Sequence, residues 1–185
     1  MVEPLIYGAV LAAGAGTRFG GPKALARSSD GSPWIVNVVT SLVDGGCGSV
    51  GVMLGARRDD ARPLVPSVAR AVDVPDWAAG LSASVRAALE AAEAMGADAL
   101  MICPVDTPDV PATAVARIAA GAKASSLAQA VYRGHPGHPV LIGRDHWSSV
   151  KETLSGDTGA GVYLREHDAQ QLECGDLWSG LDIDR

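Results

Sequence analysis

Arg18 and Lys23 are the only charged residues in LAAGAGTRFGGPKAL (Leu11–Leu25), a glycine-rich stretch placed directly behind the apolar run LIYGAV. Ordering glycine costs more backbone entropy than ordering any other residue. A chain of formal net charge −6 that sets two cations in such a segment needs something to offset that cost, and an anion is the obvious candidate. Small residues expose backbone N–H groups, while Arg18 and Lys23 reach phosphate oxygens. Pro22 stiffens the approach to Lys23. Two familiar phosphate loops fail on explicit residues. A Walker A loop ends Gly-Lys-Ser/Thr, whereas Lys23 lies between Pro22 and Ala24; the dinucleotide fingerprint needs glycine three residues after Gly16, where Phe19 stands. A solvated surface loop is the competing explanation.

A second group of the right type is Asp106, in CPVDTPDV (Cys103–Val110). It follows the apolar run ADALMIC, so parallel strands would bring it to the same sheet edge as the glycine loop. A carboxylate there holds Mg²⁺, which bridges triphosphate oxygens and offsets charge during phosphoryl transfer. The alternative is a turn-forming Asp ahead of Thr-Pro. Asp109 lies between Pro108 and Pro111 and reads as an acid at a helix start, favoured by the helix dipole.

The elements that must position these groups follow from patterning. With 48% hydrophobic and 19% charged residues, the chain builds a sizeable core; at 185 residues it is expected to form one domain spanning 1–185. Aromatics are only 4%, so Ala, Val, Leu and Ile fill that core. A pI near 5.1 argues against nucleic-acid or anionic-membrane partners, which call for a basic face. Cys47, Cys103 and Cys174 show no paired spacing and read as buried thiols. The N-terminus carries Glu3, has no basic leader and has too short an apolar run for a signal or a span. The expected location is cytoplasmic.

Apolar runs predict strands at Leu5–Ala12, Ser49–Gly55, Ala69–Val74, Ala97–Cys103, Leu127–Arg133 and Pro139–Gly143, with the turn-rich GHPGH between the last two. Helical periodicity covers Pro33–Gly46, Leu81–Met95, Pro111–Ala122, His146–Leu154 and Gly159–His167. A Ser N-cap is expected from Ser82 or Ser84. Strand–helix alternation predicts a three-layer α/β/α sandwich with a mainly parallel, Rossmann-like sheet, and ligands beyond the carboxyl ends of its strands.

LAAGAGTRFGGPKAL resembles the signature LAAGxGxRxGxxKxL of the MobA-like NTP transferase superfamily, and is most similar to its molybdenum cofactor cytidylyltransferase (MocA-like) branch. The resemblance implies that Leu11, Ala12, Ala13, Gly14, Ala15, Gly16 and Thr17 wrap a nucleoside triphosphate, with Arg18 and Lys23 neutralising its phosphates. It implies that Asp106, in an Asp-x-Pro motif, binds Mg²⁺. GLDIDR resembles the Asp-Ile-Asp segment that returns a second metal ligand, matched by Asp182 first and Asp184 second; Arg185 stands where Thr is usual. In PDWAAGLSASVRAAL, the similarity places Gly80, Leu81 and Ser84 near base and ribose. GHPGHPVLIG resembles the acceptor-side Gly-His-Pro-Val segment and points to His138. SGDTGAGVYL resembles the acceptor-facing Gly-Asp-x-Gly-Ala-Arg helix start, which points to Asp157, with Gly161 in place of the arginine.

Across the chain the resemblance implies an Mg²⁺-dependent nucleotidyltransferase with a nucleotide-binding half over residues 1–110 and an acceptor-binding half over 111–185. Arg18, Lys23 and Asp106 carry the catalysis. CTP and molybdopterin cofactor are the expected substrates, and transient contact with a molybdoenzyme or its chaperone is the expected partnership. A guanylyltransferase, a sugar-1-phosphate nucleotidyltransferase and a nucleotide-binding module that delivers cofactor without chemistry stay open beside it. A redox Rossmann protein is disfavoured by Phe19.

Overall fold

The apolar run ahead of the glycine loop forms β1 (Ile6–Ala12), with Ile6, Val10 and Ala12 buried on one face and Tyr7 and Ala9 on the other. Burial on both sides is what a central parallel strand requires. The computed structural model describes residues 3–184 of the chain. After β1 come α1 (Trp34–Asp44), β2 (Ser49–Leu54), α2 (Arg58–Ala61), β3 (Ala69–Asp73), α3 (Leu81–Ala94) and β4 (Ala99–Pro104). The second half holds α4 (Ala112–Ala119), β5 (Leu127–Tyr132), β6 (His135–Gly143), α5 (Trp147–Thr153), α6 (Gly161–Glu166) and β7 (Gln170–Glu173).

The strands join in one seven-stranded sheet of order β3-β2-β1-β4-β6-β5-β7, in which β6 alone runs against its neighbours. Helix periodicity decides which face each helix covers. In α1, Trp34, Ile35, Val38, Val39 and Leu42 are buried, and they pack with Ala114, Val115 and Ile118 of α4 on one side. In α3, Val85, Ala88, Leu89 and Ala92 form the stripe that joins Trp147 of α5 and Tyr163 of α6 on the other. The outcome is the mainly parallel three-layer α/β sandwich. Between β1 and β4 the chain direction of winding reverses, and the carboxyl ends of those two strands flank a crevice.

Three expectations about elements need correction. GHPGH is not the turn: β6 already begins at His135, and the reversal is the two-residue loop Arg133–Gly134, with φ of 53° and 80°. Two left-handed residues in succession match the twist of a tight hairpin. Neither Ser82 nor Ser84 caps α3; both are buried inside the helix, and Gly80 takes the N-cap position without a side-chain bond. The edge strand β7, parallel to β5, lies in a stretch with no apolar alternation and was not expected.

Among the described residues, no helix is long and apolar enough to cross a membrane. Cys47, Cys103 and Cys174 are free and buried, and burial pushes the Cys47 thiol up to about 12.

Candidate functional site

The glycine loop leaves the end of β1 and folds back on itself. The N–H groups of Phe19 and Gly21 both donate to the Gly16 carbonyl at 3.0 Å. Gly16 has φ of +59°, and a Cβ there would collide with the Gly21 carbonyl. No bulkier residue closes this turn. Beyond it, Pro22 caps the short 3-10 turn Lys23–Leu25, which buries Ala24 and aims the Lys23 side chain at the end of β4. Phe19 packs against Trp34 with ring centroids 5.3 Å apart, and the Lys23 Nζ lies 5.9 Å from the Phe19 ring centre.

Asp106 sits in the turn that ends β4. The Val105 N–H donates to the Leu11 carbonyl at 3.0 Å, tying this turn to the start of the glycine loop. The C-terminal segment docks on the same turn, because the Ile183 N–H donates to the Asp106 carbonyl at 2.8 Å. Ile183 packs against the core. In an extended chain, residues two apart share a face, so with Ile183 turned inward, Asp182 and Asp184 both face the cleft.

Lys23 joins these segments electrostatically. Its Nζ donates to Asp106 Oδ2 at 2.8 Å and to Asp184 Oδ1 at 2.7 Å. Burial pulls the Lys23 ammonium down, but the hydrogen bonds to Asp106 and Asp184 outweigh it and hold the group above its usual range. The Lys23 and Asp106 side chains are 17% and 20% exposed and that of Asp184 is 63%, so the pair's sheltered member is Asp106. Oδ1 of Asp106 is buried with no hydrogen-bond partner among the described residues.

One oxygen each from Asp106, Asp182 and Asp184 lies within 4.8 Å of the others. An all-oxygen, anionic donor set suits a hard divalent cation of the Mg²⁺ or Mn²⁺ kind. Asp106 Oδ1 adds an acceptor that no group among the described residues satisfies. The residues present therefore fit such an ion.

All of these groups line one cleft of about 870 Å³. Its walls bring together the expected nucleotide loop (Leu11, Ala12, Ala13, Gly14, Ala15, Gly16, Thr17, Arg18), Lys23, Gly80, Leu81, Ser84, Asp106, His138, Asp157 and Asp182. Arg18 is exposed at the rim, and no ion pair holds it among the described residues. Gly80 (φ +108°) adjoins Gly156 and Asp157: a Cβ on it would lie 2.5 Å from the Gly156 carbonyl oxygen and 2.6 Å from Asp157 Oδ1. The Ser82 N–H donates to that same carbonyl at 3.0 Å. The start of α3 and the Gly156–Asp157 turn are thus one wall. Burial pushes the His138 imidazole below its ordinary range, with Asp106 and Asp182 pulling the other way.

Some neighbours join the site without having been singled out for it. Trp77, half-buried, and Gln129, whose side-chain amide donates to the Gly137 carbonyl at 3.2 Å, both line the cleft. Trp77 was legible only as part of the Pro75–Leu89 segment, and Gln129 carries no local signal. Asp109 is exposed, precedes α4 and does not line the cleft. Arg86 donates to the Lys151 carbonyl at 3.1 Å and ties α3 to α5. His146 is taken up by Tyr163 and the Ser125 carbonyl, away from His138. Arg185 lies outside the described residues.

The MobA-like NTP transferase domain family matches residues 8–171 of this chain. Nicotine blue oxidoreductase of Paenarthrobacter nicotinovorans is 31% identical over 197 aligned positions, which cover 98% of this chain and 93% of that protein. A molybdenum cofactor guanylyltransferase of Cereibacter sphaeroides is 33% identical over 144 positions, covering 76% of this chain and 72% of that one. Among solved structures, Rv0371c of Mycobacterium tuberculosis superposes with a TM-score of 0.80 at 25% identity, over 99% of this chain and 94% of its own. The same protein in complex with manganese superposes with a TM-score of 0.71 at 24% identity, over 92% and 88% of the two chains.

Proposed function

We propose, from the premise that this chain belongs to the MobA-like NTP transferase domain family and is a nucleotidyltransferase by that membership, that it transfers a CMP group from CTP to a phosphorylated acceptor, molybdopterin cofactor, with Mg²⁺ as its metal. The observation that carries this reading is the meeting of the glycine loop, Lys23 and three carboxylates in one cleft at the switch point of the sheet. A triphosphate brings more negative charge than one cation offsets, and Arg18, Lys23 and loop N–H groups supply donors for it.

In the reaction an acceptor phosphate oxygen attacks the α-phosphorus of CTP in line. The bond from that phosphorus to the bridging oxygen breaks, and pyrophosphate leaves with the electron pair. No protein nucleophile is required; positioning and charge neutralisation carry the rate. Asp106, Asp182 and Asp184 would hold the metal, which would offset triphosphate charge. The glycine loop fixes the phosphates, Gly80, Leu81 and Ser84 border the base and ribose, and His138 and Asp157 orient the acceptor. The nucleotide half thus spans residues 1–110 and the acceptor half 111–185.

Two observations support neighbouring readings. The guanylyltransferase relative favours GTP in place of CTP with unchanged chemistry. The relative named an oxidoreductase, which aligns over nearly the whole chain, favours redox chemistry in the same cleft. A thermal-shift panel with CTP, GTP, ATP, UTP, NADH and NADPH, each with and without Mg²⁺, separates them. A ligand at about a hundred times its Kd stabilises by roughly 2.7 kcal/mol. An Mg²⁺-dependent rise with CTP, followed by pyrophosphate release on adding the acceptor, is the expected result. A rise with GTP alone changes the nucleotide, and a rise with NADPH alone overturns transferase chemistry.

A further inference from the structure

We infer that Lys23 is an internal counter-ion which a divalent cation must displace, so that metal and nucleoside triphosphate bind to this protein as a coupled pair. The inference rests on the metal and triphosphate reading of the cleft. Its basis is that one ammonium occupies two of the three carboxylates at once. Lys23 Nζ is 2.8 Å from Asp106 Oδ2 and 2.7 Å from Asp184 Oδ1, and the donor oxygens of Asp106, Asp182 and Asp184 crowd within 4.8 Å. Three carboxylates at that spacing repel one another, and the ammonium offsets that repulsion by bridging two of them.

A cation entering the cluster meets Lys23 as a like charge on its own ligands. Metal alone therefore binds against the loss of two charge-assisted hydrogen bonds. A triphosphate changes the balance, because it offers the displaced ammonium a new set of oxygens. Lys23 leads out of the 3-10 turn that follows the glycine loop, and both the loop and the carboxylates line the same cleft. Its flexible four-carbon stem carries the ammonium from one anion to the other without moving the backbone. Linkage then requires each ligand to raise the affinity of the other by the same factor. Free metal is a poor ligand of the resting protein, and its affinity rises only when nucleotide takes Lys23 away.

The test titrates Mn²⁺ by electron paramagnetic resonance into wild type, Lys23→Met and Lys151→Met, with and without CTP. Without nucleotide, Lys23→Met is expected to bind Mn²⁺ more tightly than wild type, on the order of fivefold, since it removes the ammonium that Asp106 and Asp184 share. Lys151, whose ammonium pairs with Glu93 outside the cleft, is the control, and its methionine variant is expected to stay within about twofold of wild type. With CTP, Mn²⁺ affinity rises in wild type, and by a smaller factor in Lys23→Met. Equal or weaker Mn²⁺ binding by Lys23→Met, with normal CTP-dependent binding in wild type, overturns the counter-ion and leaves the proposed function standing. Failure of wild type to bind Mn²⁺ even with CTP overturns both. A readout free of variants comes from the side-chain ammonium NMR signals of Lys23, Lys123 and Lys151, the chain's lysines. The Lys23 signal is expected to move on adding Mg²⁺ alone, and a Lys23 signal blind to saturating Mg²⁺ overturns the displacement.

Discussion

Oδ1 of Asp106 is a buried acceptor that nothing among the described residues satisfies. Leaving such a group unpaired costs about 1–3 kcal/mol, more when it is charged. Asp106 keeps this cost beside two further acids, at the point where the loop after β1 and the C-terminal segment meet. A residue retained only to shape the turn would not need the charge. Asp106→Asn preserves size and an acceptor for Lys23 while removing the charge. It is expected to abolish the metal-dependent rise in melting temperature while shifting the metal-free stability by less than about 1 kcal/mol, because the partner pair is only partly buried. Differential scanning calorimetry with and without Mg²⁺ reads both quantities, and an intact metal response would remove Asp106 from the cation site. His138 gives a pH signature of its own. Burial lowers its folded pKa, so the unfolded chain takes up the proton first. Its contribution to stability is therefore complete above the ordinary histidine value of about 6.5 and declines as pH falls below it. Wild type should lose melting temperature between about pH 7.5 and pH 5.5 more steeply than His138→Gln; parallel slopes would assign the effect to other groups.

At the scale of elements, the loop and the helix start are held by backbone conformations that only certain residues adopt. Gly16 combines a left-handed φ with a carbonyl where a Cβ would go, and Gly80 does the same against Gly156. Gly14, two residues before Gly16, has open space around it and no positive φ. Gly80→Ala is expected to cost about 1–3 kcal/mol, a drop of roughly 2–4 °C per kcal/mol for a chain of this size. Gly14→Ala is expected to leave the melting temperature within experimental error, and a comparable drop in both variants would show that loop flexibility, not steric room, is what these glycines supply. The same contrast explains what was legible in the sequence. β1 and β4 are continuous apolar runs followed at once by glycine, proline and acid, so the strand ends and the residues Arg18, Lys23 and Asp106 could be placed beforehand. The hairpin turn was not legible, since Arg133 is not a residue whose chemistry favours a left-handed φ, and the strand partner fixes it there. β7 escaped because only Leu172 of its four residues turns inward, leaving no alternation to detect. Ser82 and Ser84 matched a capping pattern, yet Gly80 turns the chain so tightly against Gly156 that both serines fall inside the helix.

Across the whole molecule, the site is an assembly of segments remote in sequence. Lys23 comes from the first connection, Asp106 from the middle of the chain and Asp184 from its last described residue, and the sheet order alone makes the first two neighbours. The third depends on docking. The Ile183 N–H bonds to the Asp106 carbonyl, its side chain packs on the core, and the segment's other anchor, Trp178, meets Tyr132 edge-on with centroids 5.5 Å apart. An aspartate pair in this segment was legible as a motif, whereas its seat against Asp106 was not, because that seat is made of backbone contacts. The arrangement separates two properties that usually fall together. The core is complete without Ile183, which lies only partly buried at its margin, so truncating that side chain costs little global stability. Both carboxylates, however, are presented through it. Ile183→Ala is expected to lower stability by no more than about 1–2 kcal/mol, below the range for a fully buried isoleucine. Mn²⁺ affinity in the presence of CTP is expected to fall by about tenfold, the equivalent of roughly 1.4 kcal/mol of lost positioning. Isothermal titration of the folded variant gives the affinity, and urea unfolding gives the stability. Mn²⁺ affinity that stays at the wild-type value would mean that Asp182 and Asp184 do not depend on this anchor, leaving Asp106 and the nucleotide to hold the cation between them.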